Sequence, residues 1–152
     1  MILTQILQPT SIKAPLESKN KEDAIEELVN CLADNKLLTD REQAFEAVMA
    51  REQTRSTGIG SGIAIPHGKC AATKELVMAI GIASEPIEFE SIDNKPATII
   101  ILLVSPPDQT GPHIQALARI SRLMLDDQFK SQLEKAKSPE EVYDLISSKE
   151  TE

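Results

Sequence analysis

Apolar residues recur three and four positions apart in several segments of the chain, a spacing that predicts amphipathic helices. Side chains that can cap a helix stand directly before most of these segments, which strengthens the prediction. We predict helices that follow Asn20, that begin at a capping box over Thr39–Glu42 and end near Arg51, that cover residues 112–125, that surround Phe129, and that follow Ser138.

Short apolar runs before the first helix and between the second and third helices predict strands. The run ATIIILLV over residues 97–104 has no polar alternation beyond one threonine, which is typical of a central strand that is buried on both faces. We predict strands over residues 12–16, 63–65, 76–83 and 97–104. Helices on both sides of a group of strands indicate an α/β (α+β) fold, a three-layer αβα sandwich. We expect one domain over residues 1–152, with a frayed tail over residues 147–152.

The charge of the chain excludes two classes of partner. A net charge of −8 over 152 residues repels nucleic acid and anionic membranes, so we expect neither as a binding partner.

The two cysteines, Cys31 and Cys70, do not make a disulfide framework. The chain contains neither a recognisable signal peptide nor an apolar run long enough for a membrane span, so we expect a cytoplasmic protein without membrane insertion.

One stretch differs from this acidic background. Residues 53–74 contain no Asp or Glu, although the chain has 24, and the stretch includes His67 at the end of a short strand. Carboxylates would repel a phosphoryl group, and glycine N–H groups can hold anionic oxygens. We therefore predict a phosphate-accepting site at His67, with glycines as its phosphate neighbourhood. These glycines are Gly58, Gly60, Gly62 and Gly68.

The two histidines also allow other interpretations. His113 follows Gly111-Pro112 at the predicted start of a helix, and a lone histidine there is more often structural than chemical. A metal site would need Cys, Asp or Glu ligands near one histidine, and none cluster around His67. Ser61 lies outside the G-x-S-x-G pattern of the hydrolases, and the chain has no P-loop or dinucleotide fingerprint. We expect neither a metal nor a cofactor.

The segment STGIGSGIAIPHGK, from Ser56 to Lys69, resembles the active-site signature of enzyme IIA of the bacterial phosphotransferase system, mannitol/fructose type. Further matches follow the same order along nearly the whole chain. They are Arg51-Glu52, Ile92-Asp93-Asn94, Leu103-Val104, Asp108-Gln109-Thr110 and His113.

The resemblance implies a mixed sheet flanked by helices on both faces. It also implies a phosphotransferase component that accepts a phosphoryl group from phosphorylated HPr or a paralogue. By this resemblance His67 carries the phosphate on Nε2, His113 lies beside it, and Arg51 supports it. Gly111-Pro112 departs from the expected pattern and could displace His113.

Two branches of the family differ in what they do with the phosphate. Sugar-transport members phosphorylate a IIB domain, whereas nitrogen-related (Ntr) members regulate other proteins. The chain ends just after its last predicted helix, and its signature is closer in wording to the Ntr branch. We expect an Ntr-type regulator, with a fructose- or mannitol-like sugar-transport component as the alternative and a non-catalytic regulatory binding module as a remote one.

Overall fold

A six-stranded mixed sheet forms the centre of the protein in a computed structural model that describes residues 2–151. The strands are Ile12–Leu16 (β1), Gly58–Gly60 (β2), Ile63–Ala64 (β3), His67–Lys69 (β4), Val77–Ile87 (β5) and Ala97–Ser105 (β6). They lie in the order β1-β5-β6-β3-β2, and β4 continues the line of β3 along β6. β6 is antiparallel to β5 but parallel to β3 and β4.

The apolar run predicted as a central strand is β6, and all but one of its residues are buried. Because successive side chains of a strand point to opposite faces, the run supplies two cores. One face contributes to a core beneath three helices, and the other to a core beneath two. The predicted three-layer αβα arrangement and its mixed sheet are therefore confirmed. The first core contains Ile99, Ile101 and Leu103, and the second contains Ile100, Leu102 and Val104.

Within residues 2–151, five α-helices cover the sheet, and they occur in the predicted order along the chain. They are Lys21–Asp34 (α1), Arg41–Thr54 (α2), Thr110–Leu123 (α3), Asp127–Glu134 (α4) and Pro139–Glu150 (α5). The side chains of Asn20 and Ser138 cap α1 and α5 as predicted. None of the helices within residues 2–151 combines the length and the hydrophobicity that a bilayer crossing requires.

The predicted bounds of α2 are wrong at both ends. The capping side chain is Asp40, which accepts a hydrogen bond from the N–H of Gln43, and the helix continues to Thr54. The side chain of Thr39 contacts a different element, because its hydroxyl and its N–H both donate to the carbonyl oxygen of Ala72. This contact joins the start of α2 to the segment that follows β4.

The prediction of a frayed tail is wrong for residues 147–150, which belong to α5. The side chain of Glu150 is fully buried. It accepts hydrogen bonds from the N–H groups of Leu3, at 2.5 Å, and Thr4, at 3.1 Å. Arg119 donates to the same carboxylate at 3.3 Å. These contacts hold the last turn of α5 against the start of the chain, while Glu152 lies outside the described residues.

Candidate active site

His67 begins β4, at the point where that strand pairs with Leu103 of β6. The next residue, Gly68, lies directly against the backbone of α2. A Cβ atom at this position would lie 3.0 Å from the backbone nitrogen of Val48, so a side chain there would push the helix away. Glycine therefore lets α2 pack onto β4. Arg51 lies one turn beyond Val48 on the same helix, so this contact also fixes Arg51 relative to His67.

The orientation of the His67 ring is set by a backbone carbonyl. Nδ1 lies 2.8 Å from the carbonyl oxygen of Ile65, which accepts its hydrogen. A neutral ring in this arrangement has its lone pair on Nε2. Within residues 2–151, no side chain or carbonyl is hydrogen-bonded to that nitrogen. The ring is half-buried and presents Nε2 as a nucleophile.

The second histidine lies beside the first. His113 is in the first turn of α3, and its ring meets the His67 ring edge-on, with 5.3 Å between the ring centroids. Gly111 and Pro112 belong to the same turn, where a missing N–H costs nothing, so they do not displace His113. Nδ1 of His113 lies 2.6 Å from the hydroxyl oxygen of Ser105, the last residue of β6.

Burial and nearby cations keep both rings neutral at pH 7. Desolvation lowers the pKa of His67 below its usual value, and the positive charges of Arg51 and Lys69 lower it further. The carbonyl of Ile65 and the carboxylate of Glu52 act in the opposite direction without reversing the shift. Burial, together with His67 and Lys69, lowers the pKa of His113 to about 4. A neutral imidazole is the form that can attack phosphorus.

Arg51 is a half-buried cation at the end of α2. One of its guanidinium nitrogens, Nη1, donates to the carbonyl oxygen of Arg55 at 2.9 Å, a contact typical of a basic side chain at a helix C-terminus. Its charge nevertheless acts on the pKa of His67. The structure therefore places Arg51 and His113 each within interaction range of His67.

Most of the predicted glycine neighbourhood lies elsewhere, which corrects that prediction. Gly60 and Gly62 form the tight turn between β2 and β3, with φ angles of +95° and +84° that favour glycine. The carbonyl of Gly62 accepts from Ile99, near the start of β6, whereas His67 pairs with Leu103. Four residues along a strand span about 13 Å. These two glycines shape a turn and do not surround His67.

Gly58 also has a packing role. A Cβ atom there would lie 2.2 Å from the hydroxyl oxygen of Ser91, so glycine is required for the close approach of that segment. The turn that follows is held by a carboxylate, since Asp93 accepts from the N–H of Ser61 at 2.9 Å. The stretch that lacks acids in sequence is therefore not free of acids in space. Of the four glycines, only Gly68 adjoins His67.

Three residues at the site were missed from the sequence. Lys69 is two positions after His67 and therefore on the same face of β4, a signal that strand alternation provides. Its ammonium donates to the hydroxyl of Thr110 at 3.1 Å, beside the start of α3. Ser105 gave no signal beyond its place at the end of a buried run. Glu52 is buried near the end of α2, and its carboxylate acts to raise the pKa of His67.

Removing the charge of Lys69 should raise the pKa of His113 above about 4, since a nearby cation disfavours the imidazolium form. The pKa of His67 should rise in the same variant. The measurement is an NMR titration of both rings in Lys69→Met. Lys74→Met, at an exposed lysine of the following loop, is the matched control and should leave both values unchanged. Unaltered titrations in Lys69→Met would show that Lys69 does not act on these rings.

Comparisons with known proteins agree with this arrangement. Residues 5–149 match the family model described as EIIA 2 of the phosphoenolpyruvate-dependent sugar phosphotransferase system. The fructose-specific EIIABC component of Bacillus subtilis is 36% identical over 97% of this chain, which spans 23% of that protein. The nitrogen regulatory protein of Escherichia coli is 34% identical over 97% of this chain and 91% of its own length. The crystal structure of nitrogen regulatory protein IIA-Ntr from Neisseria meningitidis superposes with a TM-score of 0.82 at 31% identity, covering 93% of this chain and 97% of that one.

Proposed function

Because the chain belongs to the EIIA 2 family of the sugar phosphotransferase system, as its sequence predicted, we propose that it is a phosphocarrier whose acceptor atom is Nε2 of His67. It takes a phosphoryl group from a phosphorylated HPr-type protein in the cytoplasm and relays it or signals with it. The observation that carries the proposal is the state of the His67 ring. Its hydrogen is committed to the carbonyl of Ile65, its lone pair is on Nε2, and its lowered pKa keeps it neutral.

The transfer exchanges one P–N bond for another. The lone pair on Nε2 of His67 attacks phosphorus in line as the donor's phosphohistidine bond breaks, and the electrons of that bond return to the donor ring. The charge on the phosphoryl oxygens needs nearby cations and hydrogen-bond donors. Arg51 and Lys69 supply positive charge here, and His113 lies at contact distance from the acceptor ring.

The test of this function is phosphorylation by the donor protein. Incubation with phosphorylated HPr or its Ntr paralogue should place one phosphate on each chain. The phosphate should be acid-labile and stable to base, as a phosphohistidine is, and NMR should assign it to Nε2 of His67. Failure to accept phosphate from either donor, under conditions where a known IIA protein is labelled, would refute the proposal.

Arg51→Ala should slow phosphoryl transfer about a hundredfold, the usual effect of removing one charged donor from a transition state. Thermal unfolding should change little, because the side chain is half-buried and its one hydrogen bond goes to a carbonyl at the helix end. The control is Arg55→Ala, which removes a neighbouring exposed arginine but keeps the carbonyl that Arg51 contacts. A loss of stability with no change in transfer rate would instead assign Arg51 to capping of α2 alone.

The onward role that we propose is regulation of the Ntr type. The relative from E. coli is named a nitrogen regulatory protein and matches the chain over almost its whole length. A phosphoryl group adds roughly two negative charges at His67. A partner with a basic surface would then bind the two states with different affinities.

Binding of a candidate partner to the free and phosphorylated protein across a salt series measures this switch. We expect affinities that differ between the two states and that converge as salt screens the added charge. Equal affinities at every salt concentration would leave only a relay.

The second candidate is a sugar-transport component, which the similarity to the fructose-specific protein favours. Such a component would pass its phosphate to a IIB domain. Transfer from the phosphorylated protein to a purified fructose-type IIB domain, at a rate comparable with transfer from its natural IIA partner, would establish this second function.

A further inference from the structure

A short, buried hydrogen bond joins Ser105 to His113, the histidine beside His67. Ser105 is fully buried at the end of β6, and its hydroxyl oxygen lies 2.6 Å from Nδ1 of His113. Its backbone is fixed as well, because its carbonyl accepts from the N–H of Cys70 beside β4. The hydroxyl therefore approaches the ring from a rigid part of the sheet.

The direction of this hydrogen bond follows from the partners that each group has. Within residues 2–151, Nδ1 of His113 is the one hydrogen-bond partner of the Ser105 hydroxyl. A buried hydroxyl that only accepted would leave its own hydrogen without an acceptor, which is unfavourable. The hydroxyl therefore donates, and Nδ1 carries the lone pair. In a neutral imidazole the hydrogen is then on Nε2.

That hydrogen is free to be used at the site. Among the described residues, every fully buried side-chain nitrogen or oxygen has a hydrogen-bond partner. No partner in this part of the chain contacts Nε2 of His113, so that nitrogen must retain some access to solvent although the residue is only 3% exposed. The two rings thus have complementary tautomers: Nε2 of His67 has a lone pair, and Nε2 of His113 has a hydrogen.

We propose that Ser105 is a positioning residue, which holds His113 as the tautomer that donates a hydrogen bond from Nε2 to a phosphoryl oxygen on His67. The proposal rests on the proposed function for the phosphoryl group but not for the tautomer. No proton is transferred: His113 keeps its hydrogen throughout, and Ser105 keeps its own. Without the hydroxyl, the ring is free to place its hydrogen on either nitrogen, and the donor is lost for part of the time.

The tautomer can be measured directly, because the chain has only two histidines. Nitrogen-15 NMR of the unphosphorylated protein, labelled on histidine, distinguishes a ring nitrogen with a hydrogen from one with a lone pair. We expect the hydrogen of His113 on Nε2 and that of His67 on Nδ1. Finding the hydrogen of His113 on Nδ1 in the unmodified protein overturns the proposal, and this measurement requires neither a variant nor phosphorylation.

Ser105→Ala should convert His113 to a mixture of tautomers and slow onward transfer from His67 about tenfold, the effect of one lost hydrogen bond. Ser105→Cys keeps the volume but donates weakly, and should lie between. The matched control is Ser11→Ala, since Ser11 is equally buried but lies directly before β1, two strands from β6. An unchanged tautomer and an unchanged transfer rate in Ser105→Ala would refute the proposal.

The failure of this proposal is distinguishable from the failure of the proposed function. If His67 accepts no phosphate but His113 has its hydrogen on Nε2, the function is wrong and the tautomer assignment stands. If phosphate is accepted but the tautomer is the opposite one, the function stands and Ser105 has no positioning role.

Discussion

Replacing His67 with alanine is expected to reduce phosphate acceptance to background, because the variant removes the atom that we propose as the phosphoryl acceptor. The ring nitrogen Nε2 lacks a hydrogen-bond partner within residues 2–151, and the ring is neutral at pH 7. The measurement is incorporation of radioactive phosphate from a phosphorylated HPr-type donor.

The control for this experiment is the other histidine. His113→Ala should still accept phosphate, because Nε2 of His67 is unaltered, but should pass it on slowly for lack of a hydrogen-bond donor beside the phosphoryl group. His67→Ala should unfold at a temperature near that of the unmodified protein, whereas His113→Ala should be less stable because it leaves the buried Ser105 hydroxyl without its partner. Circular dichroism at the assay temperature should show that both variants are folded, so that labelling reports on chemistry. Full labelling of His67→Ala would contradict the assignment of the acceptor, whatever the behaviour of His113→Ala.

Replacing Glu52 with alanine is expected to lower the free energy of unfolding by about 3 kcal/mol, the usual cost of breaking a buried ion pair from one side. The carboxylate is 2% exposed and accepts from three groups. These are the ammonium of Lys21 at 2.8 Å, the N–H of Thr57 at 2.9 Å and the hydroxyl of Thr57. Without it, Lys21 loses its buried partner and the N–H of Thr57 its acceptor.

Chemical denaturation measures this loss, with Glu46→Ala as the matched control. Glu46 lies on the same helix but is exposed, so its removal should change stability by less than about 0.5 kcal/mol. Because Glu52 directly follows Arg51, its loss should also slow transfer by loosening the end of α2. A change in stability below about 1 kcal/mol would place this ion pair among exposed ones, whose contribution is small.

The fold was predictable because its signals are local. Capping side chains and apolar spacing predicted five helices in the right order, and the run over residues 97–104 indicated the central strand. The errors arose where a distant contact decided the outcome. Thr39 is a residue type that often caps helices, but its hydroxyl donates to the carbonyl of Ala72. The last turn of α5 is ordered because Glu150 binds the N–H of Leu3 at the start of the chain.

The central side chains of the site were predictable from the sequence, but most of the residues around them were not. The motif around His67 and the resemblance it carries named the two histidines and Arg51, which the structure brings together. The glycines were a weaker guide, because the same residue serves tight turns and close packing as readily as anion binding. Ser105 was not predictable, since its role depends on the meeting of β6 with α3, which sequence spacing does not reveal.

The pairing of β4 with β6 has a consequence for when the protein becomes competent. In the sequence, β5 and β6 lie between His67 and His113. The two histidines come together only when β6 pairs with β4. Such non-local pairing forms late in folding because of the chain entropy that closure removes. In a partly folded chain the imidazole of His67 would therefore be exposed, without His113 and the cations beside it. The complete site, with both rings and the cations beside them, therefore exists only in molecules in which β6 has paired with β4.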